Sequence, residues 1–176
     1  ERSSLTMGTI SVAIVRISTI DSFPTPTKQA LENTFNDTAI NIKTQYNLCS
    51  NGKLKLVKAS QFVHEVTVNA SISQFTSPGP LINAAAASLP GGGKGLADKV
   101  FFCVPPGTGY WGATASLHYW RAQFNDRVCT SLSAMSHEFG HTIGLPHSNE
   151  NGSSYGDSVG YMSLSYRNNN WPRRCF

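Results

Sequence analysis

The sequence predicts a single α/β domain in which helices pack on a β-sheet. Its 176 residues fit the roughly 100 to 200 residues of one domain. Hydrophobic residues make up 40% of the chain, which favours a packed core over disorder. Strand-like and helix-like patterns follow one another in the order strand, helix, two strands, helix, strand and edge strand. This succession is typical of α/β architecture.

The first two elements are a buried strand and a long helix. Residues 9–17 read TISVAIVRI, and their alternating β-branched side chains predict a well-buried strand. Between residues 27 and 48, apolar side chains recur every three or four positions, which predicts one helix of about 20 residues. The recurring residues are Leu31, Phe35, Ala39, Ile42 and Tyr46.

The middle of the chain predicts the rest of the sheet. Residues 53–59 and 62–68 indicate two strands, the first with lysines alternating on one face. Residues 81–89 indicate a short alanine-rich helix. Residues 99–104, KVFFCV, predict a strand buried on both faces, and the aromatic segment 110–125 predicts edge-strand and rim structure.

Charge and hydropathy exclude two classes of protein. Lys and Arg number 14 against 10 Asp and Glu, a net charge of +4, and only 14% of residues are charged, below the roughly 25% of an average domain. We therefore expect no nucleic-acid partner. No apolar run reaches the roughly 18 residues of a membrane span, so we expect none.

The chemistry concentrates in residues 136–147, SHEFGHTIGLPH. On a helix at about residues 131–143, His137 and His141 project from one face at i and i+4, so both imidazoles can bind one zinc ion. Glu138 neighbours the first ligand and can reach a water on the metal.

The end of this segment supplies the third ligand. Gly144 lets the chain leave the helix with a positive φ, and His147 can then turn back to the metal. Three neutral imidazoles leave the fourth position for water, which is typical of a catalytic zinc site. A core helix with coincidental histidines is disfavoured, because it would bury polar groups without partners.

This HExxHxxGxxH pattern resembles that of the metzincin zinc endopeptidases. The resemblance puts the methionine turn at Tyr161-Met162, with Met162 as an apolar floor beneath the histidines. Within that clan, segments YGD at 155–157, YMS at 161–163 and PRRCF at 172–176 look most like the gametolysin (autolysin) family. The zinc motif is also similar to that of matrixins.

The resemblance implies a metzincin-like zincin fold. Its parts are a twisted, mostly parallel sheet with an antiparallel edge strand, two long helices, an active-site helix and a small C-terminal subdomain with the methionine turn. Residues 1–147 then form the N-terminal subdomain and 148–176 the C-terminal one. Metzincins usually place a helix after the methionine turn, yet only residues 163–176 follow it, so we expect the natural protein to continue beyond Phe176.

The cysteines and glycosylation sequons indicate a secreted protein. The cysteines are far apart and form no CxxC pair, so they predict two disulfides in one of three connectivities, and we favour a Cys129–Cys175 bridge across the cleft. The four are Cys49, Cys103, Cys129 and Cys175. The sequons, which suggest a glycoprotein, begin at Asn36, Asn69 and Asn151.

We therefore expect a secreted, monomeric zinc endopeptidase acting on extracellular or cell-wall proteins. Zinc lowers the pKa of its bound water to about 7, and Glu138 acts as general base and then general acid. An extended polypeptide substrate would add itself to an exposed sheet edge. We expect that edge near Gly109 to Ser116, with Gly109, Tyr110, Trp111 and Gly112 as candidate substrate contacts.

Two other functions share the motif. A non-catalytic adhesion or carbohydrate-binding module would keep zinc for stability alone, but it would not need Glu138. A zinc amidase acting on cell-wall or small amides would use the same chemistry, and a panel of protein and peptidoglycan substrates distinguishes it. A calcium site is unsupported, because one carboxylate, Asp157, does not make one.

Overall fold

The computed structural model describes residues 7–36, 41–157 and 160–163. A five-stranded sheet in the order β2-β1-β3-β5-β4 forms its centre. Strands β1, β2, β3 and β5 are parallel, and the short edge strand β4 is antiparallel to β5. The predicted mostly parallel sheet with an antiparallel edge is confirmed. The strands are β1 (Gly8–Ser18), β2 (Leu54–Thr67), β3 (Lys99–Val104), β4 (Ala113–Ala115) and β5 (Arg121–Asn125).

Short helices cover both faces of the sheet. They are α1 (Lys28–Asn33), α2 (Ile42–Cys49), α3 (Pro78–Ala86) and α4 (Leu132–Thr142). Turns of 3-10 helix occur at Ile72–Gln74, Pro90–Gly93, Asp126–Thr130 and Glu150–Gly152. Within the described ranges, no helix has the length and hydropathy needed to cross a membrane.

The single long helix expected between residues 27 and 48 is wrong. Helix α1 ends at Asn33, and α2 starts afresh at Ile42. Asn41 begins α2 with a capping box: its side chain accepts from Thr44 N at 2.9 Å, and Thr44 Oγ1 accepts from Asn41 N at 3.1 Å. This local bonding starts a new helix although the apolar period continues across the break.

The two strands expected at 53–59 and 62–68 are instead one strand, β2. Its pairing with β1 shifts register, because Val12 lies opposite Lys58 while Ile14 lies opposite Val63. The extra residues of β2 form a bulge, which keeps the strand continuous while it interrupts the alternation of apolar side chains.

The core consists of two layers, one on each face of the sheet. One layer lies beneath α1, α2 and α4 and includes Phe35, Tyr46, Phe101 and Phe139. The other lies beneath α3 and includes Phe102. Because β3 contributes to both, it is buried on both faces as its sequence predicts.

The predicted Cys129–Cys175 bridge is wrong. Cys129 forms a disulfide with Cys103, with a Cα–Cα distance of 5.5 Å. This bridge ties the end of β3 to the 3-10 turn before α4. Cys49 is also disulfide-bonded, and Cys175 lies outside the described residues. Sequence spacing could not select this pairing, because the parallel pairing of β3 with β5 is what brings Cys103 and Cys129 together.

Candidate metal centre

Helix α4 is held rigidly against the sheet. Ser131 caps its first turn by accepting from Ala134 N at 3.4 Å. Phe139 packs edge-on against Tyr46 with ring centroids 4.7 Å apart, and the Tyr46 hydroxyl donates to the Ser136 carbonyl at 2.6 Å. The helix that carries the motif therefore cannot rotate without breaking buried contacts.

The structure brings His137, His141 and His147 together. Their candidate ligand atoms all lie within 4.8 Å of one another, and Nε2 of His137 is 3.1 Å from Nε2 of His141. The His137 Nδ1 lies 2.6 Å from the Tyr161 carbonyl, and the His141 Nδ1 lies 2.8 Å from the Leu145 carbonyl. A carbonyl only accepts, so each Nδ1 carries the proton and each Nε2 offers a lone pair to the centre.

Burial keeps these imidazoles neutral. Desolvation lowers the pKa of His137 to about 4 and also lowers those of His141 and His147. A metal ion binds the neutral ring, so the folded chain holds its histidines in the form that can act as ligands.

Glu138 supplies a buried acceptor oxygen beside the histidines. Its Oε2 is buried and has no hydrogen-bond partner among the described residues. Desolvation raises the pKa of Glu138 to about 8, against the lowering effect of a hydrogen bond from the backbone of Ala115. A buried, unsatisfied carboxylate oxygen beside three inward-facing nitrogens fits a site that takes a metal ion and a water.

The chain leaves α4 through a crowded glycine turn. Gly144 has φ +98°, as predicted, and a Cβ there would collide with the imidazole of His118. His118 also donates its backbone N–H to the His141 carbonyl at 3.0 Å. The loop before β5 therefore clamps the turn that directs His147 to the centre.

Met162 lies beneath the histidine helix. It is buried, and a Cβ on Gly140 would come within 2.5 Å of its Sδ and 3.0 Å of the Tyr46 hydroxyl oxygen. Glycine at position 140 lets the helix approach this floor closely, because a larger residue would have to push the Met162 thioether aside. Sequence reasoning missed Gly140, and its only signal was a glycine inside a helix between two ligands.

Asp157 fixes the loop that leads to Met162. Its Oδ2 accepts from Gly160 N at 2.7 Å, and Gly160 directly precedes Tyr161, the partner of His137. Asp157 therefore has a structural role in this turn. The described residues show only the histidine group as a possible metal cluster, so no calcium site is found there.

Tyr155 is a second residue that sequence reasoning did not place in the site. Its ring centroid lies 4.1 Å from that of His147 and 6.3 Å from that of His137. It also lines the cleft beside the histidines. The only sequence signal was its place in the YGD segment, which was used to identify the family.

The cleft beside the histidines has a volume of about 390 Å³. Its walls come from β4, from the turn and first residues of α4, and from the metal-binding segment. The edge strand β4 (Ala113–Ala115) lies within the segment from Gly109 to Ser116 where the sequence predicts the edge. Gly112 lines the cleft, whereas Trp111 packs into the core under α3 and Tyr110 is fully exposed. Burial of the Trp111 indole turns the chain away before β4 begins.

Lys99 contacts the C-terminal end of helix α4, which carries His137 and His141. Its Nζ donates to the Thr142 carbonyl at 2.7 Å and to the Tyr119 carbonyl at 3.1 Å. A cation at a helix C-terminus stabilises the helix by up to about 2 kcal/mol when partly buried.

We expect Lys99→Met to lower the free energy of unfolding by about 1 to 2 kcal/mol in urea titrations. Lys55→Met on the exposed part of β2 is the matched control, and an equal loss there would contradict this role.

Comparison with known proteins agrees with this geometry. The family model described as gametolysin peptidase M11 matches residues 9–172 of the chain. No curated protein matches the chain. The match spans the sheet, the histidine helix and Met162, and the predicted resemblance to the gametolysin family is confirmed. The chain belongs to the gametolysin family of metallopeptidases, whose substrates are polypeptides.

Proposed function

We propose that the chain is a zinc-dependent endopeptidase of the metzincin type. One observation carries the proposal: three neutral imidazoles converge beside a buried carboxylate whose Oε2 has no partner among the described residues. Neutral nitrogen donors in a set of three are typical of catalytic zinc sites, whereas calcium and magnesium prefer oxygen ligands.

His137, His141 and His147 would hold the zinc ion through the nitrogens that face the centre. A bound zinc ion supplies Lewis acidity, which acidifies a water and polarises a peptide carbonyl. The Tyr161 and Leu145 carbonyls keep two of the imidazoles in the ligand tautomer. The protein therefore contributes a preorganised set of donors.

Glu138 moves the proton. Its carboxylate is buried, lies next to His137 in the chain and faces the cleft. It takes a proton from the attacking water and gives it to the leaving amine. The Ala115 backbone orients this carboxylate from the sheet edge.

The substrate lies along β4. Asn125 N donates to the Gly112 carbonyl at 2.8 Å, so the alternation of an antiparallel ladder points the backbone groups of Ala113 and Ala115 to the open edge. The Ala115 N–H already bonds to Glu138, so an extended peptide can pair with the backbone groups of Ala113 and with the Ala115 carbonyl, and place its own carbonyl beside Glu138.

Two features of the chain support secretion of the proposed enzyme. The disulfide between Cys103 and Cys129 favours an oxidising compartment. The three sequon asparagines, Asn36, Asn69 and Asn151, are exposed and open to glycosylation. Extracellular or cell-wall proteins are the substrates that such a location would supply.

A module that keeps zinc only for structure is disfavoured. Such a protein would retain Glu138 without using it. The raised pKa of this buried carboxyl group means that ionising it lowers the free energy of unfolding. A replaceable residue with that cost is expected to persist only where its chemistry is used.

Metal removal tests the proposal. We expect a chelator to abolish cleavage of an internally quenched peptide, and stoichiometric zinc to restore it. Zinc at about 1,000 times Kd should also stabilise the fold by about 4 kcal/mol, seen as a higher Tm. Retained cleavage in the metal-free protein would contradict the proposal, and hydrolysis of peptidoglycan amides in place of peptides would identify an amidase.

A further inference from the structure

We propose that the sheet face opposite α4 carries a subsite for an acidic side chain of the substrate, with Arg121 as its binding cation. The subsite is a hollow of about 100 Å³ beside β4. Its lining residues are Thr114, Ala115, Ser116, Tyr119, Arg121 and Gln123. The inference rests on the proposed peptidase function and names a substrate preference for the same cleft.

Strand alternation puts this hollow on the other side of the sheet from the histidines. Ala113 and Ala115 pack against the core layer under α4. Thr114 therefore points to the opposite face, where Gln123 is its cross-strand partner. Arg121 lies two residues before Gln123 on β5 and shares that face.

Arg121 is held in place with most of its donors available. Its guanidinium carbon lies 5.8 Å from the ring centroid of Tyr119 and 5.9 Å from that of Trp120. Among the described residues, Arg121 donates one hydrogen bond, to Asn83 Oδ1 at 3.3 Å. Arginine has five N–H donors, so a fork remains for a carboxylate.

No acidic side chain within the described ranges forms an ion pair with Arg121. The ring contacts fix the guanidinium in one direction, which lowers the entropy lost when it binds a carboxylate. A preorganised cation without a carboxylate partner, beside the substrate edge, is complementary to an acidic group.

In a peptide paired with β4, every second side chain lies on the face of the sheet that carries Arg121. Successive side chains of an added strand point to opposite faces of the sheet. Those on the α4 side enter the cleft by the histidines, and their neighbours pass over the hollow. An Asp or Glu at one of these alternate positions can therefore reach Arg121.

Matched peptides test the subsite. Quenched peptides carry Glu, Gln or Lys at each position in turn around one cleaved bond, and kcat/KM is measured on the zinc-loaded protein. At one position, we expect Glu to exceed Gln by about fivefold at low salt, the size of an exposed ion-pair contact. The ratio should fall as ionic strength rises, because exposed charges are screened.

Charge reversal supplies the decisive variant. Arg121→Glu should reverse the preference at that position in favour of Lys, measured as the ratio of kcat/KM for the Lys and Glu peptides, and a wild-type circular dichroism spectrum shows that the variant folds. Lys53→Glu changes the net charge equally at the opposite edge of the sheet and should keep the Glu preference.

The outcomes separate the two proposals. Cleavage of Glu and Gln peptides at equal rates at every position overturns the acidic subsite alone, as does an unchanged preference in Arg121→Glu. Failure of the zinc-loaded protein to cleave any peptide overturns the peptidase function and the subsite with it.

Discussion

We expect Glu138→Gln to remove nearly all of the proposed peptidase activity without loss of zinc binding. Glutamine keeps the shape of the side chain and can still accept from the Ala115 backbone, but it cannot take up a proton. General acid-base catalysis by one group contributes about 10²- to 10⁴-fold. We expect kcat to fall by that factor, with one zinc per chain retained in metal analysis.

The same variant has a second readout in the metal-free protein. The pKa of Glu138 is about 8 in the folded chain against a model-compound value of 4.5. Between these values the folded state binds the extra proton, so its stability falls as pH rises. Metal-free Glu138→Gln lacks this penalty and should be more stable than the wild type by on the order of 3 kcal/mol at pH 7.

Urea titrations from pH 4.5 to pH 8 measure this difference. It should grow with pH across the window, while the lowered pKa of His137 affects both proteins equally and cancels. Bound zinc should reduce this difference in the free energy of unfolding, because a nearby positive charge favours the ionised carboxylate. Wild-type kcat in Glu138→Gln, or a difference that shrinks as pH rises, would refute the assigned role.

Gly144→Ala should displace His147, the third proposed ligand, from the site. The backbone there has φ +98°, which an L-residue adopts at a cost of about 1 to 2 kcal/mol. The new Cβ also collides with the His118 imidazole, so the turn before His147 must shift. We expect zinc affinity to fall about 10- to 100-fold, as when the groups that orient a ligand are lost. Competition titration with a chromogenic chelator measures it.

Gly52→Ala is the matched control. Gly52 has φ +77° but nothing within 4 Å of an added Cβ, so it isolates the backbone strain from the collision. It should reduce stability without changing zinc affinity. The double variant Gly144→Ala/His118→Ala should recover part of the affinity, because the collision is removed. Equal zinc affinity in Gly144→Ala and the wild type would contradict the clamp.

The metal-binding segment was largely readable from the sequence, because its chemistry is local. A helix fixes the relation of His137, Glu138 and His141 at one turn, and Gly144 marks where that helix must end. The first helix could not be predicted in this way. Its apolar period continues past Asn33, whereas the capping box at Asn41 begins a second helix.

Contacts between distant segments were decided only by the tertiary structure. The Cys103–Cys129 bridge depends on parallel pairing of β3 with β5, and the carbonyl that orients His137 comes from Tyr161, 24 residues away. His118, Tyr155 and Arg121 gain their surroundings from strands and loops that no local spacing encodes.

The sequence by itself therefore determined the chemical groups of the site: two histidines and a carboxyl group on one helix turn, a glycine exit and a third histidine beyond it. Only the tertiary structure decided how that chemistry is supported and presented. It placed Met162 beneath Gly140, the edge strand across from Glu138 and Arg121 on the opposite face. The physical reason is that helix periodicity is fixed by local backbone geometry, whereas packing depends on which strands pair.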